Sequence, residues 1–367
     1  MSHSAFQRIW LPGFLLQSVI IGGGYATGRE LVEFFLGSGP VGGLLGMLVA
    51  TVLFSIASVL CFELSRLTRS YDYRSLLRQL LGRGWFVYEI AYFVLGLLVL
   101  AVIGAAAGEL AAEHLGMHKV FATLLLMALI GLLVFLGTSL IERALAVWSF
   151  VLYATYAVLL TCYLWVFGDE LTRNIAEVPV GDGWFSNGIR YFGYNLAVIP
   201  VILYCVRHME SRRDAFIAGA LSGPLIMIPA LLFFLAMSAA YPAILDSAVP
   251  ADFLMQGLDL PWFDIVFYVV VFGTLIETGT AFIHAVNERI DTAFREGDRS
   301  MPRWLRPAIA VSALAVALLL AARFGLIELI ARGYGTLTWI FIAVFALPLL
   351  TRGAWKIWKT RTYDHVS

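Results

Sequence analysis

The chain has 367 residues, of which 60% are hydrophobic and only 14% charged, and its mean hydropathy is +0.85. A soluble protein of this length needs a far more charged surface, so the composition excludes a soluble globular protein. The 25 basic and 25 acidic residues balance each other, and nothing in the charge suggests a nucleic-acid partner. Apolar runs of about 20 residues span a bilayer and recur along the sequence. The predicted fold class is an all-α polytopic membrane protein embedded in a lipid bilayer.

Ten apolar segments long enough to cross a bilayer follow one another along the chain. We predict these spans at Ile9–Phe35, Val41–Leu64, Phe86–Leu110, Val120–Leu136, Ala144–Phe167, Trp184–Val206, Ala215–Ala240, Trp262–Ala285, Leu305–Ala322 and Leu326–Leu350. Residues 1–350 then form one transmembrane domain with two halves, 1–167 and 184–350, and residues 351–367 form a cytoplasmic C-terminal tail.

The positions of Lys and Arg predict the orientation, because cytoplasmic loops of membrane proteins carry an excess of both. If the N-terminus is cytoplasmic, 19 of the 25 basic residues lie in cytoplasmic segments. The asymmetry favours an even number of spans with both termini in the cytoplasm.

The first span contains the stretch SVIIGGGYATGRELVEFF, residues 18–35, in which three successive glycines interrupt an apolar run. Close helix packing explains one or two small residues at a spacing of four, and three in a row less well. An unwound break at mid-membrane explains the triplet better, because it exposes backbone groups that bind a solute or an ion. We therefore predict a broken helix and a substrate-binding segment. Its candidate residues are Gly22, Gly23, Gly24, Tyr25, Ala26, Gly28 and Arg29.

The sixth span is the expected partner of the first. Secondary transporters are often built from two inverted halves with interruptions at matching positions, and ten spans divide into five plus five. Span six carries Gly193, Tyr194 and Asn195, followed by Pro200, which cannot donate a backbone hydrogen bond. We predict a second broken helix here and add Gly193, Tyr194 and Asn195 to the substrate-binding residues.

The glycine-rich stretch also resembles a known family. The pattern Gly-x-Gly-(aromatic)-Ala-(small)-Gly-x-Glu, running here from Gly22 to Glu30, is similar to the opening helix of the YkvI-like bacterial membrane proteins. Ten spans with breaks in spans one and six resemble the LeuT-type fold of the amino acid–polyamine–organocation transporter superfamily. The resemblance implies a transporter in the inner (plasma) membrane of a bacterium. Arg29 departs from the family pattern and favours a carboxylate-bearing substrate over a cation.

The resemblance also implies a place for a coupling ion. In LeuT-like folds, hydroxyl groups of span eight and carbonyl groups of span one form a sodium site. The matching candidates here are Ile20, Gly23, Thr274, Glu277 and Thr278. Burial disfavours the charged form of a carboxylate, so Glu277 is a candidate proton carrier or, alternatively, a permanent counter-ion to Arg332. The coupling ion, Na⁺ or H⁺, stays open.

Two further charged residues inside spans are candidate gating residues. Glu30 follows the glycines by about a turn, and Arg332 enters span ten. Intramembrane charges are costly and need partners. The alternative role for Arg29 and Arg332 is structural pairing with Glu30 or with another nearby acid. These other acids are Glu33, Glu109 and Glu328.

Connecting segments add three expectations. Residues 168–183 read as a loop, residues 241–261 as either a short lid helix or a solvated connector, and residues 71–84 as an interfacial helix. No nucleotide-binding, metal-binding or catalytic motif occurs, so we predict no enzyme activity, no metal and no bound cofactor.

The predicted function is secondary active transport of a small carboxylate-bearing solute, such as an amino acid, by sodium- or proton-coupled symport with alternating access. The alternative is a ligand-sensing membrane receptor that uses the same fold without net transport. The sequence leaves the solute and the oligomeric state open.

Overall fold

The computed structural model of the protein describes residues 4–136, 139–258, 260–296 and 299–364, which fold almost entirely into helices. The α-helices are α1 Leu11–Ile20, α2 Gly23–Ala26, α3 Arg29–Phe34, α4 Gly39–Thr68, α5 Tyr73–Leu81, α6 Trp85–Leu115, α7 Lys119–Leu136, α8 Ser139–Glu177, α9 Trp184–Asn195, α10 Arg212–Ala239, α11 Pro250–Leu258, α12 Pro261–Glu296, α13 Leu305–Glu328, α14 Gly335–Phe341 and α15 Ala354–Asp364. Segments with 3₁₀ geometry are Leu36–Ser38, Gly82–Gly84, Leu196–His208 and Ala243–Asp246. Segments with π geometry are Phe6–Trp10, Leu329–Tyr334, Ile342–Ala346 and Leu349–Gly353.

Seven helical runs in the described chain are long and apolar enough to cross a membrane. The first predicted span is absent from this count because its helix is interrupted after Ile20. The fourth forms a shorter apolar helix over Lys119–Phe135, and the ninth and tenth are joined in one run, Leu305–Thr360. Gly325, with φ 70° and ψ 172°, breaks the helical geometry between those two predicted spans. The protein is thus a helical membrane protein, and the number of ten spans stays a prediction.

The surface of the bundle suits lipid. Large apolar side chains on the long helices face outward, and Leu48, Ile90 and Leu319 are each 59% or more exposed. Burying such side chains in hydrocarbon is favourable, so the exposed apolar faces are the ones that contact the bilayer.

The helices α4 and α10 form the most extensive helix pair. Gly219 and Gly223 on α10 face the α4 backbone, and an added Cβ would overlap Val59 or Thr51 there. Small residues four apart let two helix backbones approach closely, which is how helices pack inside a membrane. Ser211 starts α10 with a capping box, in which its side chain accepts from the Asp214 amide.

The two ends of the bundle differ in what covers them. We call one the terminal end, where Arg8 pairs with Glu210 at 2.8 Å and Lys356 of α15 donates to the Gln79 carbonyl at 2.9 Å. We call the other the lid end, because residues 241–258 cover it. There, the Ala251 amide donates to the Thr27 carbonyl at 2.9 Å.

Two of the three predictions for the connecting segments agree with the structure, and one does not. Residues 250–258 form α11, so the lid helix is the correct alternative, and α5 confirms the predicted helix within residues 71–84. Its leucines Leu76, Leu77 and Leu80 are buried. The loop predicted from residue 168 is wrong up to Glu177, because α8 continues beyond a kink at Phe167. Asn174 anchors this extension by donating to three carbonyls of residues 238–241.

The C-terminal segment is helical over Ala354–Asp364, and Arg352 donates to the Leu80 carbonyl at 3.0 Å. The final residues 365–367 of the predicted tail lie outside the described residues. The side of the membrane on which this segment lies stays a prediction.

Candidate functional site

The first predicted span changes direction at two points. Helix α1 ends at Ile20, and Ile21 (φ −77°, ψ 77°) and Gly22 (φ −105°, ψ −168°) have non-helical backbone. The Gly22 amide donates to the Ile20 carbonyl at 2.9 Å, which closes the end of α1. Helix α2 begins at Gly23 and lasts one turn. Backbone groups in this interruption therefore leave the regular i to i−4 hydrogen-bond pattern of a helix.

The second change of direction lies at Gly28. Its φ of 78° is in the left-handed region, where a side chain is strained. An added Cβ would also lie 3.1 Å from the Phe233 ring. Glycine is thus the residue that lets α3 start here, with Arg29 as its first residue.

A cavity of about 320 Å³ adjoins the first interruption, and its lining on α6 and α12 extends from there toward the terminal end. It is formed by side chains of α1, α6, α8 and α12 and of the 3₁₀ segment Leu196–His208. Its lining residues are Ser18, Val19, Ile21, Gly22, Tyr92, Leu95, Gly96, Val99, Leu152, Tyr153, Val198, Val201, Glu277, Thr278, Ala281, Phe282 and Ala285. An apolar cavity with a few polar groups is the usual form of a small-molecule site.

Glu277 is the single charged residue in this lining. Within the part of the chain that the structure describes, its carboxylate has no hydrogen-bond or ion-pair partner. Thr278 lies next to it, and the Thr278 side chain is 3.5 Å from the position of a Cβ on Gly22. An acidic group without a partner in an apolar setting is available for a cation, a proton or a donor group of a solute.

The lid-end side of the interruption is packed shut. We call Phe34, Tyr191, Tyr194 and Tyr334 the aromatic layer. All four are at most 4% exposed, and Tyr194 stacks on Tyr334 with ring centroids 4.7 Å apart. Phe34 contacts both Tyr191 and Tyr194. This layer separates the first interruption from the lid end.

Glu30 lies inside the aromatic layer and not in the cavity. It is 5% exposed, and its Oε2 accepts a hydrogen bond from the Tyr194 hydroxyl at 2.5 Å. Its other oxygen, Oε1, packs against Gly24. Glu30 thus contacts two of the predicted substrate-binding residues, Gly24 and Tyr194.

Arg29 is held by the lid. Its Nη1 donates to the Leu245 and Ser247 carbonyls at 2.7 and 3.0 Å, and its Nη2 contacts Glu33 at 3.1 Å. The structure therefore does not bring Arg29 to the cavity, where the sequence placed it as a substrate-binding residue. The reason is that α3 starts after Gly28 and directs this side chain toward the lid end.

The remaining residues of the first segment have structural contacts. The Ala26 carbonyl accepts a hydrogen bond from the Tyr156 hydroxyl, and Tyr25 is 2% exposed with its ring near Phe233. Among the described residues, the Tyr25 hydroxyl has no hydrogen-bond partner. Among the predicted substrate-binding residues whose surroundings the structure describes, Gly22 lines the cavity and the others do not.

The sixth predicted span does not unwind at Gly193–Asn195, so the unwound break expected there is wrong. Helix α9 runs through these residues and continues as a 3₁₀ helix from Leu196 to His208, with Pro200 inside it. Gly193 serves close packing, because an added Cβ would lie 2.6 Å from the Thr338 side chain. Asn195 donates to the Tyr191 carbonyl at 3.1 Å and is satisfied within its own helix.

The predicted ion-coupling residues are only partly assembled. Glu277 and Thr278 reach the cavity, whereas Ile20 is 6% exposed and absent from its lining. Thr274 is 2% exposed, and its hydroxyl donates to the Val270 carbonyl at 2.9 Å. Gly23 is the first residue of α2. Whether these groups bind an ion stays a prediction.

Arg332 is not close to Glu277 or Glu30. It pairs with Glu328 at 2.8 Å, and its side chain is 82% exposed. In this structure Arg332 therefore forms the structural pair with Glu328 that was the alternative prediction. It makes no ion pair with Glu30 or with Glu277 among the described residues. The π segment Leu329–Tyr334 turns Tyr334 inward and leaves Arg332 outside.

Sequence reasoning missed most of the cavity lining. Tyr92 of α6 and Tyr153 of α8 line the cavity, and a tyrosine in an apolar span is only a weak sequence signal of a binding site. The aliphatic lining residues give no such signal. Their contribution depends on which helices are neighbours, and that is a property of the tertiary structure.

A polar cluster at the lid end joins α6, α11 and α12. Ligand-type atoms of Glu113, His114 and Asp252 lie within 4.8 Å of one another. Asp252 already accepts from Tyr268 at 2.5 Å and contacts His114 at 2.8 Å. Glu113 accepts a hydrogen bond from Gln256 at 2.9 Å, and the absence of a metal stays a prediction.

Comparison with known proteins finds a related membrane protein and solved structures with a similar fold. No family model matches the chain. Over 266 residues it is 27% identical to the uncharacterised membrane protein YkvI of Bacillus subtilis (strain 168), and the match covers 69% of this chain and 70% of the relative. The chain is thus homologous to the YkvI-like membrane proteins, as the glycine motif indicated.

Two solved structures of Mhp1 share the architecture. The inward-facing conformation of Mhp1 superposes with a TM-score of 0.55 at 17% identity, over 92% of this chain and 76% of Mhp1. Mhp1, a nucleobase-cation-symport-1 family transporter, in a closed conformation with bromovinylhydantoin bound gives 0.53 at 16% identity, over 93% and 75%. At this identity the likeness shows the fold alone, and it confirms the LeuT-type fold.

Proposed function

We propose that the protein is a secondary active transporter that moves a small organic solute across the membrane by alternating access. The observation that carries this proposal is the asymmetry around the first interruption. A cavity of about 320 Å³ extends from it toward the terminal end, while the buried aromatic layer lies on its lid-end side. Such an arrangement gives a solute access from one side at a time. The fold of Mhp1, itself a transporter, supports the same function.

The proposal includes ten spans in two inverted halves of five. Helical segments occupy each of the ten predicted positions, and Gly325 divides the run that contains the last two. The interruption at Ile21–Gly22 falls where the LeuT-type fold has its first broken helix. In span six, the change to 3₁₀ geometry after Asn195 takes the place of an unwound break.

We place the terminal end in the cytoplasm and the protein in the bacterial plasma membrane. The basic residues concentrate at this end, including Arg66, Arg78 and Arg289, as the positive-inside tendency requires. The cavity then faces the cytoplasm, and the conformation described here is an inward-facing one.

The solute class that suits the site best is an amino acid or a related carboxylate with an amine. Glu277 favours an ammonium group in the cavity, since opposite charges attract strongly away from water. The carboxylate of the solute is expected at the non-helical backbone of Gly22, which lines the cavity. Arg29, held by the lid, is not needed for binding in this proposal.

A sodium or proton gradient supplies the energy, because the sequence has no nucleotide-binding motif. For sodium, the groups nearest the interruption are Thr278, Glu277 and the backbone of Ile20 and Gly23. For a proton, Glu277 is the acceptor in the cavity. Binding of either ion together with solute makes the transport a symport.

The test uses purified full-length protein and a Gly22 series. A thermal-shift screen over amino acids and carboxylates, with and without sodium, selects a solute, whose labelled form is then offered to proteoliposomes under imposed sodium or pH gradients. A Cβ at Gly22 meets only ordinary contacts, 3.5 Å or more, with Thr278, so Gly22→Ala is expected to keep uptake. Gly22→Leu fills the cavity and is expected to abolish binding and uptake.

The outcomes separate the alternatives. Gradient-driven uptake that Gly22→Leu removes supports the transporter. Binding without uptake under any gradient favours the sensing receptor, and uptake that survives in Gly22→Leu shows that the cavity is not the solute site.

A further inference from the structure

Glu30 is an acidic group in the membrane interior. It does not line the cavity, so the proposed transport of a solute gives it no role. Its carboxylate is 5% exposed, and its hydrogen-bond partner is the Tyr194 hydroxyl on Oε2. In the described part of the chain, no Lys, Arg or His forms an ion pair with it. An ionised carboxylate with one neutral donor and no cation is costly to bury.

The groups that face Glu30 come from several helices and are mainly tyrosines. Tyr194 of α9 donates to its Oε2, and the rings of Tyr191 and Tyr334 lie 5.7 and 4.7 Å from the Tyr194 ring. The hydroxyl of Tyr25 is buried and lacks a partner among the described residues. None of these hydroxyls carries a positive charge that would balance an ionised Glu30.

The nearby charged residues are engaged elsewhere. On α3 itself, Arg29 binds the lid carbonyls and Glu33. Arg190 of α9 lies over the Phe34 ring at 5.5 Å and donates to the Ala331 carbonyl. From α11, Asp252 is held by His114 and Tyr268. The α10 side chains against the start of α3, Phe233 and Met237, are apolar.

We propose that Glu30 is a proton-binding site and that its protonated form holds the aromatic layer shut. The carboxyl binds one proton from the solution at the lid end while the layer is open, and it returns that proton when the layer opens again. The proposal rests on the proposed function only in assuming that the layer opens during a working cycle.

Packing favours a proton over a sodium ion at this position. Sodium needs several oxygen ligands and a volume of its own, whereas Oε1 of Glu30 lies directly against Gly24 and Oε2 against Tyr194. A proton needs neither a cavity nor further ligands. Glu30 is also absent from the lining of the cavity that Glu277 faces.

The sign of the pH effect follows from linkage. The closed layer excludes water from Glu30 and so binds the proton more tightly than the open layer does. Lowering the pH therefore favours the closed layer, and raising the pH favours the open one. One titrating group changes this equilibrium by at most about tenfold per pH unit.

The first measurement needs no solute. Infrared difference spectra of the full-length protein in lipid detect the carbonyl stretch of a protonated buried carboxylic acid. We expect a band that titrates with pH, that is absent in Glu30→Gln and that persists in Glu33→Gln, an acid one turn away on the same helix. Tyr194→Phe removes the donor to Oε2 and is expected to shift the band, which assigns the band to the acid beside Tyr194.

The second measurement detects opening of the aromatic layer. Thr338, which is fully buried beside α9, is replaced by cysteine after the native Cys61, Cys162 and Cys205 are changed to alanine. Its maleimide labelling rate is measured against pH with Glu30 or with Glu30→Gln. The Gln background corrects for the titration of the thiol itself. We expect labelling to rise with pH more steeply when Glu30 is present.

A missing band in the wild-type protein, or an unchanged band in Glu30→Gln, overturns the proton site. Loss of the band on adding sodium at constant pH shows a sodium site instead and also overturns it. Equal pH dependence of labelling in both backgrounds overturns the link to the layer. Failure of all solutes to be transported leaves both readouts intact and rejects only the proposed function.

Discussion

The two sides of the interruption in the first span use the same kinds of residue and are packed in opposite ways. On the terminal side, Glu277 with Tyr92 and Tyr153 surrounds a cavity of about 320 Å³. On the lid side, Glu30 with Tyr194 and Tyr334 is sealed. The comparison shows that access to water, more than residue type, decides what an intramembrane acid can do. Glu277 can meet a solute or an ion, while Glu30 has room only for a proton.

The largest effect is expected from filling the open side. Ala281 lines the cavity on α12, and Ala281→Trp should remove binding of the solute selected by thermal shift. An indole ring there takes the space that the solute needs, and we expect Kd to rise by roughly 100-fold or more, which is about 2.7 kcal/mol. The matched control is Val269→Trp on the same helix, where the side chain is 57% exposed on the outer surface. Equal binding by both variants in a titration would contradict the cavity assignment.

A smaller effect is expected at the hinge between the two sides. Gly28→Ala combines left-handed strain, about 1–2 kcal/mol, with the contact at 3.1 Å to Phe233. Gly116→Ala is the control, because Gly116 has φ 63° and no atom within 4 Å of an added Cβ. Unfolding in denaturant should show a larger loss for Gly28→Ala by about 1 kcal/mol or more. The same loss in both variants would mean that strain alone matters.

The third comparison separates the two arginines that the sequence singled out. Arg29→Ala leaves the Leu245 and Ser247 carbonyls without their donor and should lower stability by about 1–3 kcal/mol. Arg332→Ala removes an exposed pair with Glu328 and should change stability by less than about 0.5 kcal/mol. Thermal unfolding in detergent measures both. A larger loss for Arg332→Ala would show that the lid contacts of Arg29 contribute little.

Part of this site could be predicted from the sequence because its signals are local. The glycines at 22–24 mark the place where α1 ends, since glycine weakens a helix wherever it stands. Glu277 could be found because any acid near the middle of an apolar span is unusual. The predicted break at residues 193–195 was wrong because the roles of these residues are tertiary or intrahelical contacts. Gly193 packs against Thr338, Tyr194 donates to Glu30, and Asn195 donates to Tyr191. Such contacts leave no local mark.

Hydropathy, glycine placement and the distribution of arginine determined by themselves that this chain is a helical membrane protein interrupted early in its first span. These three properties belong to each stretch of the sequence, so they do not depend on which helices become neighbours. The tertiary structure alone decided that Arg29 serves the lid, that Arg332 faces outward, and that Glu30 and Glu277 lie on opposite sides of the interruption. The partner of a charge depends on which helices are adjacent, and adjacency arises only when the bundle packs.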